Sequence, residues 1–213
     1  MKASTIGSKL VMSISGMFLV MFLILHLAIN LTSLISREAY EAACRFMDEN
    51  VIIQLMVPIL ALGFVVHIVY ALITTIRNRK ARPVNYDVSN KTNITWASKN
   101  MLALGTIVFG LLIMHLSQFW AKMQLQHFLG NEGENPYDLL INLFSNWIYV
   151  AIYLIWTTAL YFHLSHGFWS MFQSMGATNS KWIPRIQLAA KIFSIIIAIG
   201  FSSIPVYFFL NQQ

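Results

Sequence analysis

Five stretches of the chain stay apolar long enough to cross a bilayer, and the polar residues collect between them. The stretches run over about residues 10–34, 51–76, 101–120, 143–171 and 186–210. A membrane-spanning helix needs about 20 largely apolar residues, so each qualifies. The first follows Lys2 and Lys9, as the apolar run of a signal peptide would. It is too long for one and no small-residue cleavage site follows, so a retained helix is expected. Pro58 and Pro205 fall inside spans, where a bundle tolerates kinks if neighbours satisfy the freed carbonyls. The pattern predicts an all-α integral membrane fold: residues 1–213 as one five-helix domain, with no strands and no soluble catalytic module.

Composition sharpens this. Of the 213 residues 57% are hydrophobic and 10% charged, against about 25% charged in soluble domains, so most of the chain faces lipid or other apolar helices. Charge also sets an orientation. Lys2, Lys9, Arg77, Arg79, Lys80, Arg82, Lys91, Lys99, Lys181, Arg185 and Lys191 fall on one side of the predicted bundle. Arg37, Arg45 and Lys122 fall on the other, with Glu38, Glu41, Asp48, Glu49, Glu132, Glu134 and Asp138. The positive-inside rule then puts the N-terminus in the cytoplasm and the C-terminus outside. The net charge of +6 therefore reflects topology and is no argument for nucleic acid. A single cysteine, Cys44, excludes a c-type haem, an iron–sulfur cluster and a thiolate zinc site, each of which needs more thiols.

Histidine carries the chemistry. Of six, His127 lies in a loop, while His26, His67 and His115 sit in the first three spans and His163 and His166 in the fourth. A lone core histidine bonded to a neighbouring carbonyl or hydroxyl is commonplace, but one in each of four successive spans is not. Ionisable groups within a membrane mark a pathway or a cofactor, and no carboxylate lies in any span to pair with these. At the helical rise, His26 is about 25 Å beyond Lys9 and His115 about 24 Å beyond Lys99, both in the outer half. His67 is about 15 Å from Arg77, in the inner half, and both helix-four histidines fall there too. One pair near each leaflet, drawn from two helices each, suits two b haems with two opposed imidazoles apiece.

Gly63 stands four residues before His67, and Gly167 four after His163. Positions four apart share a helix face, so each glycine is expected to leave room for a flat macrocycle, although small residues also serve plain helix packing. Depth favours His166 as the partner of His67, and the glycine favours His163. The residues alone leave both open.

The segments STIGSKLVMSISGMFLVMFLILHL, FVVHIVYALITTIRNRKAR, WASKNMLALG and YFHLSHGFWSMFQSMG together resemble, in order and spacing, the dihaem cytochrome b subunit of succinate:quinone oxidoreductases. The family includes succinate dehydrogenases and quinol:fumarate reductases, and the likeness is to its single-anchor, five-helix type. The resemblance implies His67 and His163 as axial ligands of an inner haem and His26 and His115 of an outer one. His166 is then left to a haem propionate or an ordered water. It further implies a flavoprotein partner with covalent FAD, an iron–sulfur partner on the basic cytoplasmic face, menaquinone as the quinone, and room for a dimer of complexes. The work left to this chain is to anchor the soluble subunits in membrane lipid, hold two haems and bind quinone. The chain itself has no residues for the dicarboxylate chemistry.

A quinone needs an apolar slot with a few polar groups at its carbonyls. Asn30, Thr32 and Ser33 at the end of the first span and Ser117, Gln118 and Trp120 at the end of the third offer such groups near the outer haem. Some family members place a glutamate near an outer quinone site, which points to Asp48 and Glu49 as proton acceptors; as solvated charges the same two would cap the second span. Some also carry a carboxylate two residues before the helix-four ligand, where this chain has Tyr161. Rival readings are a dihaem anchor of another respiratory oxidoreductase, such as a hydrogenase or formate dehydrogenase, a haem-free metal transporter, and a purely structural anchor. The transporter lacks mid-membrane carboxylates, and the structural anchor leaves the histidine pattern unexplained.

Overall fold

The computed structural model describes residues 5–80, 95–177 and 179–211, and among these the chain is helical with no strand. In order the helices are α1 (Thr5–Leu31), α2 (Arg37–Glu49), α3 (Val51–Lys80), α4 (Trp96–Lys99), α5 (Met101–His115), α6 (Gln124–Phe128), α7 (Pro136–Phe144), α8 (Trp147–Ser174) and α9 (Ile183–Leu210). A 3₁₀ turn, Thr32–Leu34, extends α1, and a π-helical turn, Leu116–Trp120, extends α5. With those extensions α1, α3, α5, α8 and α9 are each long and apolar enough to cross a membrane. The protein is a five-helix, multi-pass integral membrane protein.

The spans match the apolar stretches read from sequence, with two differences. Residues 143–146 do not belong to α8: Ser145 closes α7, and the Asn146 side chain accepts from the Ile148 N–H (2.9 Å) to start α8 afresh. The segments on either side of α3 and α8 are also not plain loops. Ser36 caps α2 by accepting from the Ala39 N–H (3.1 Å). Asn135 caps α7, with Pro136 in its first turn, the position where a missing N–H costs nothing. Cys44 therefore sits on a helix. Asn50, accepting from the N–H groups of Ile52 (3.0 Å) and Ile53 (3.3 Å), caps α3 in place of Asp48 and Glu49.

Four spans form an open ring, whose end members α3 and α5 are not closely packed on each other. α1 packs on α3 and on α8, and α8 packs on α5, giving the order α3, α1, α8, α5. α9 fills the groove between α1 and α8, lying closest to α8. Small groups permit that approach: Ala190 and Ser194 are fully buried, and the hydroxyls of Thr157 and Ser202 meet at 2.8 Å.

α2 and α7 fold over one end of this ring as a lid. Tyr40, Leu139, Leu140 and Phe144 from the lid are buried with Phe119, Val150, Tyr153, Ile204 and Phe208. Arg37 pairs with Glu41 and Asp138, and the Asn135 amide donates to Glu41 (2.7 Å). Burying one large apolar side chain is worth about 1.5–3 kcal/mol, while exposed ion pairs contribute about 0.2–1 kcal/mol. The apolar seam holds the lid, and the charges set its register. Five carboxylates in the lid and two in the loop before α7 make this the acidic end of the bundle, and Lys9, Arg77, Arg79, Lys80, Lys99, Lys181 and Arg185 mark the opposite, basic end. Lys191 lies in the third turn of α9. Lys2, Arg82 and Lys91 lie outside the described residues.

Candidate haem and quinone sites

Two pairs of histidines face each other inside the ring. His26 of α1 and His115 of α5 have ring centres 5.9 Å apart and planes crossing at 85°. His67 of α3 and His163 of α8 stand 6.4 Å apart with planes at 71°. In the order α3, α1, α8, α5 both pairs join opposite corners. A diagonal is the one line along which two side chains meet in the middle of a four-helix ring without belonging to packed neighbours.

The two pairs occupy different levels, and three helices give the same spacing. Gly16 of α1 lies against His67, and its own helix carries His26 ten residues on. Gly105 of α5 lies against His163 and precedes His115 by ten. Tyr153 of α8 touches His115 and precedes His163 by ten. Ten residues of helix rise about 15 Å. Each of these helices therefore gives a ligand candidate at one level and a lining residue at the other.

Among the described residues no three His, Cys, Asp or Glu side chains converge, so a bare ion would find only two protein donors at each pair. A metal that brings its own equatorial donors in a macrocycle needs just two. Two imidazole nitrogens on opposite sides of one such ion, each about 2 Å away, put the ring centres roughly 6 Å apart. The donor set and the spacing fit haem at both pairs.

The surroundings differ. At the His26–His115 pair the walls are aromatic: Phe22 stacks on His26 (5.1 Å), Phe201 lies 5.7 Å from it, and Phe119 and Trp156 lie 5.2 and 5.3 Å from His115. The Trp156 Nε1 is buried there without a hydrogen-bond partner. Polar groups stand behind the rings. The Asn30 amide donates to the His26 carbonyl (2.8 Å) and accepts from the Tyr40 hydroxyl (3.4 Å); the Tyr153 hydroxyl lies 3.3 Å from His115 Nδ1. At the other pair, Ser15 Oγ lies 3.4 Å from His67 Nδ1, while His163 Nδ1 is buried with no partner. His166 turns onto Trp169 (5.3 Å) and its Nδ1 is likewise buried and unpartnered.

The glycine expectation is corrected at Gly63. Gly63 faces the Phe18 ring of α1, whose Cδ1 and Cε1 would lie 2.8 Å from an added Cβ, and Gly167 faces Met101 at 4.0 Å. Gly63 serves helix packing, while the space beside Gly167 is open as far as Met101. The glycines that make room beside imidazoles are Gly16, 3.6 Å from His67 Cε1, and Gly105, 3.6 Å from His163 Cε1. They stand on the neighbouring helices, where spacing within one helix gives no sign of them.

The expected quinone residues divide in two. Asn30 and Gln118 point toward the His26–His115 pair, and Gln118 accepts from Tyr153 (2.8 Å). Ser33 is buried and donates to the Asn30 carbonyl (2.6 Å), and Thr32 donates to Ile29 (2.6 Å). Ser117 and Trp120 are exposed on the outer surface of α5's extension. Asp48 and Glu49 line a cleft of about 320 Å³ with Glu41, Cys44, Arg45, His127, Asn135 and Pro136. Burial raises the Asp48 carboxyl above its ordinary pKa, with His127 opposing and Glu49 reinforcing. At the basic end a cleft of about 530 Å³ is lined by Lys9, Met12, Thr74, Gln173 and Ser174, and Thr74 Oγ1 is buried without a partner. Tyr161 packs edge-on against Phe162 (5.0 Å).

Fold and site thus define an all-helical membrane protein with two opposed histidine pairs at two depths. The chain is 24% identical over 182 residues, 85% of its length and 83% of the relative's, to the succinate dehydrogenase cytochrome b558 subunit of Bacillus subtilis (strain 168). No family model matches the chain, and no solved structure matches it.

Proposed function

We propose that the chain is the cytochrome b membrane-anchor subunit of a succinate dehydrogenase or fumarate reductase complex in the bacterial inner membrane. Its basic end faces the cytoplasm, where an iron–sulfur subunit docks and carries a flavoprotein with FAD. The observation that carries this reading is the two diagonal histidine pairs, about 15 Å apart in depth. The similarity to a b558 subunit over most of both chains supports it.

His67 and His163 would hold one b haem on the cytoplasmic side, and His26 and His115 a second on the outer side. When bound, each supplies a one-electron carrier between the iron–sulfur subunit and menaquinone. The residues of this chain set the conditions. Phe22, Phe201, Phe119 and Trp156 exclude water from the outer pair, which strengthens every remaining polar contact there. Asn30 and Gln118 offer hydrogen-bonding groups to a quinone that reaches them from lipid past Ser117 and Trp120, with Thr32 and Ser33 shaping the turn. Asp48 and Glu49 take up protons as quinol is oxidised, and Asp48, raised by burial, holds its proton better than a free carboxyl. At the inner side Lys9 offers a cation, and His166 a second polar contact, to the acidic edge of a haem.

The test is purification of the tagged complex from membranes. Two b haems per chain in the reduced-minus-oxidised spectrum, with a flavoprotein and an iron–sulfur protein copurifying, is the expected result. A complex with hydrogenase or formate dehydrogenase subunits would move the chain to another respiratory oxidoreductase, and absence of b-type absorbance would overturn the reading.

A further inference from the structure

We infer that Tyr153 is a positioning residue for the outer site: it fixes the tautomer of His115 and tunes the potential of the centre that His115 serves. The inference rests on the haem reading above and concerns a residue that the reading does not use.

The geometry assigns the protons. Tyr153 Oη donates to Gln118 Oε1 at 2.8 Å, which commits the single phenolic hydrogen. The same oxygen lies 3.3 Å from His115 Nδ1, and with its hydrogen spent it can only accept there. Nδ1 therefore carries the imidazole proton, and Nε2 is left with the lone pair that a metal requires. With the amide reversed, the phenol would donate to Nδ1 and the proton would move to Nε2, where it would block ligation. One arrangement of this relay serves a ligand: the one in which Gln118 Oε1 faces the phenol.

Local structure holds the relay rigid. Tyr153 is 7% exposed, and its ring meets Phe144 at 5.0 Å and Trp156 at 5.5 Å, both edge-on. Gln118 lies in the π-helical turn that begins at the residue after His115, closed by the Ala121 N–H to the Leu116 carbonyl (2.8 Å). Single π turns concentrate at functional sites, and this one carries the acceptor of the relay. At the inner pair His163 has no partner on Nδ1 and His67 has Ser15 at 3.4 Å, so the Tyr153 contact acts on the outer pair alone. A partner that accepts from the far nitrogen raises ligand basicity, which favours the oxidised metal and lowers its potential.

The experiment is an optical redox titration of the intact complex, with the outer wave defined as the one that disappears in His115→Ala. Tyr153→Phe removes one oxygen and keeps the ring. It should retain both haems and move the outer wave to more positive potential while the inner wave stays in place. Gln118→Leu, which removes the acceptor and keeps the phenol, should move the same wave in the same direction by less. An outer wave that stays in place in Tyr153→Phe, or two waves that move together, would overturn the inference. So would loss of the outer haem in Tyr153→Phe while Gln118→Leu titrates like the unmodified complex. If the unmodified complex shows no b-type wave at all, the haem reading itself has failed.

Discussion

His67 and His163 lie on helices that are not packed neighbours, yet their rings face each other at 6.4 Å. His166, one turn further along the same helix, packs on Trp169 instead. From this follows the first prediction. His67→Ala or His163→Ala should leave one haem per chain, as should His26→Ala or His115→Ala, and His166→Ala should leave two. Haem-to-protein ratios from pyridine haemochrome spectra measure this directly. A chain that keeps two haems without His163 and loses one without His166 would reverse the assignment.

Glycine substitutions should sort by what an added carbon meets. At Gly105 a Cβ makes ordinary contact with His163 (3.6 Å), so Gly105→Ala should keep both haems, whereas Gly105→Leu should displace the ring and lose the inner one. At Gly63 the Cβ would stand 2.8 Å from two Phe18 ring atoms, and overpacking of this kind costs about 1–3 kcal/mol. Gly63→Ala should therefore melt at a lower temperature in detergent than Gly105→Ala. The opposite order would show that α1 and α3 are free to move apart.

Cys44 should be a slow thiol. Burial pushes it up to about 11; the Tyr40 contact pulls the other way, and the carboxylates of Asp48 and Glu41 push further up. Because the thiolate is the reactive form, maleimide labelling should be slow at pH 8 and accelerate as the pH rises toward 11. Unfolding in detergent should bring the rate at pH 8 to that of a free thiol. A native rate already equal to the free thiol's would mean that the lid opens readily.

Turnover should be electrogenic. Electrons that cross between an outer quinone and cytoplasmic clusters move through most of the membrane potential, about 2.3 kcal/mol per charge per 100 mV. A proton travelling with each electron would cancel this, but among the described residues every carboxylate sits in the lid and the loop beside it. Tyr161, packed edge-on against Phe162, is a poor relay. The hydroxyl of Thr157 is engaged with Ser202 and Leu154, and Thr158 is exposed and bonded to Leu154. Quinol oxidation by fumarate in proteoliposomes should build a potential seen by a voltage-sensitive dye. Turnover with no uncoupler-sensitive signal would contradict it.

The spans were legible because hydrocarbon enforces length and apolarity on any helix that crosses it. Depth was legible for the same reason: rise per residue converts position into height, which already placed His26 level with His115. Rotation about each helix axis was not, because the face a residue presents depends on which helix lies opposite. That is why spacing along α3 puts Gly63 beside a haem while the fold turns it onto Phe18. The lid escaped for a different reason. α2 and α7 are short and partly polar, and their signals are caps: Ser36, and Asn135 followed by proline. Tyr153 carried no signal at all, since a tyrosine in an apolar span is as often packing as chemistry until its hydroxyl is seen between two partners.

The ring planes cross at 85° in one histidine pair and 71° in the other. When two imidazoles on one iron are parallel, both donate π density into the same d orbital and split it from its twin. When they are crossed, each ring acts on a different orbital and the two stay close in energy. A ferric low-spin centre held in that way retains orbital angular momentum along one axis. Its magnetic resonance spectrum at low temperature would be dominated by one large g value with the others broad, in place of the three well-separated values of parallel rings. The His26–His115 centre, nearer a right angle, would be the more axial of the two.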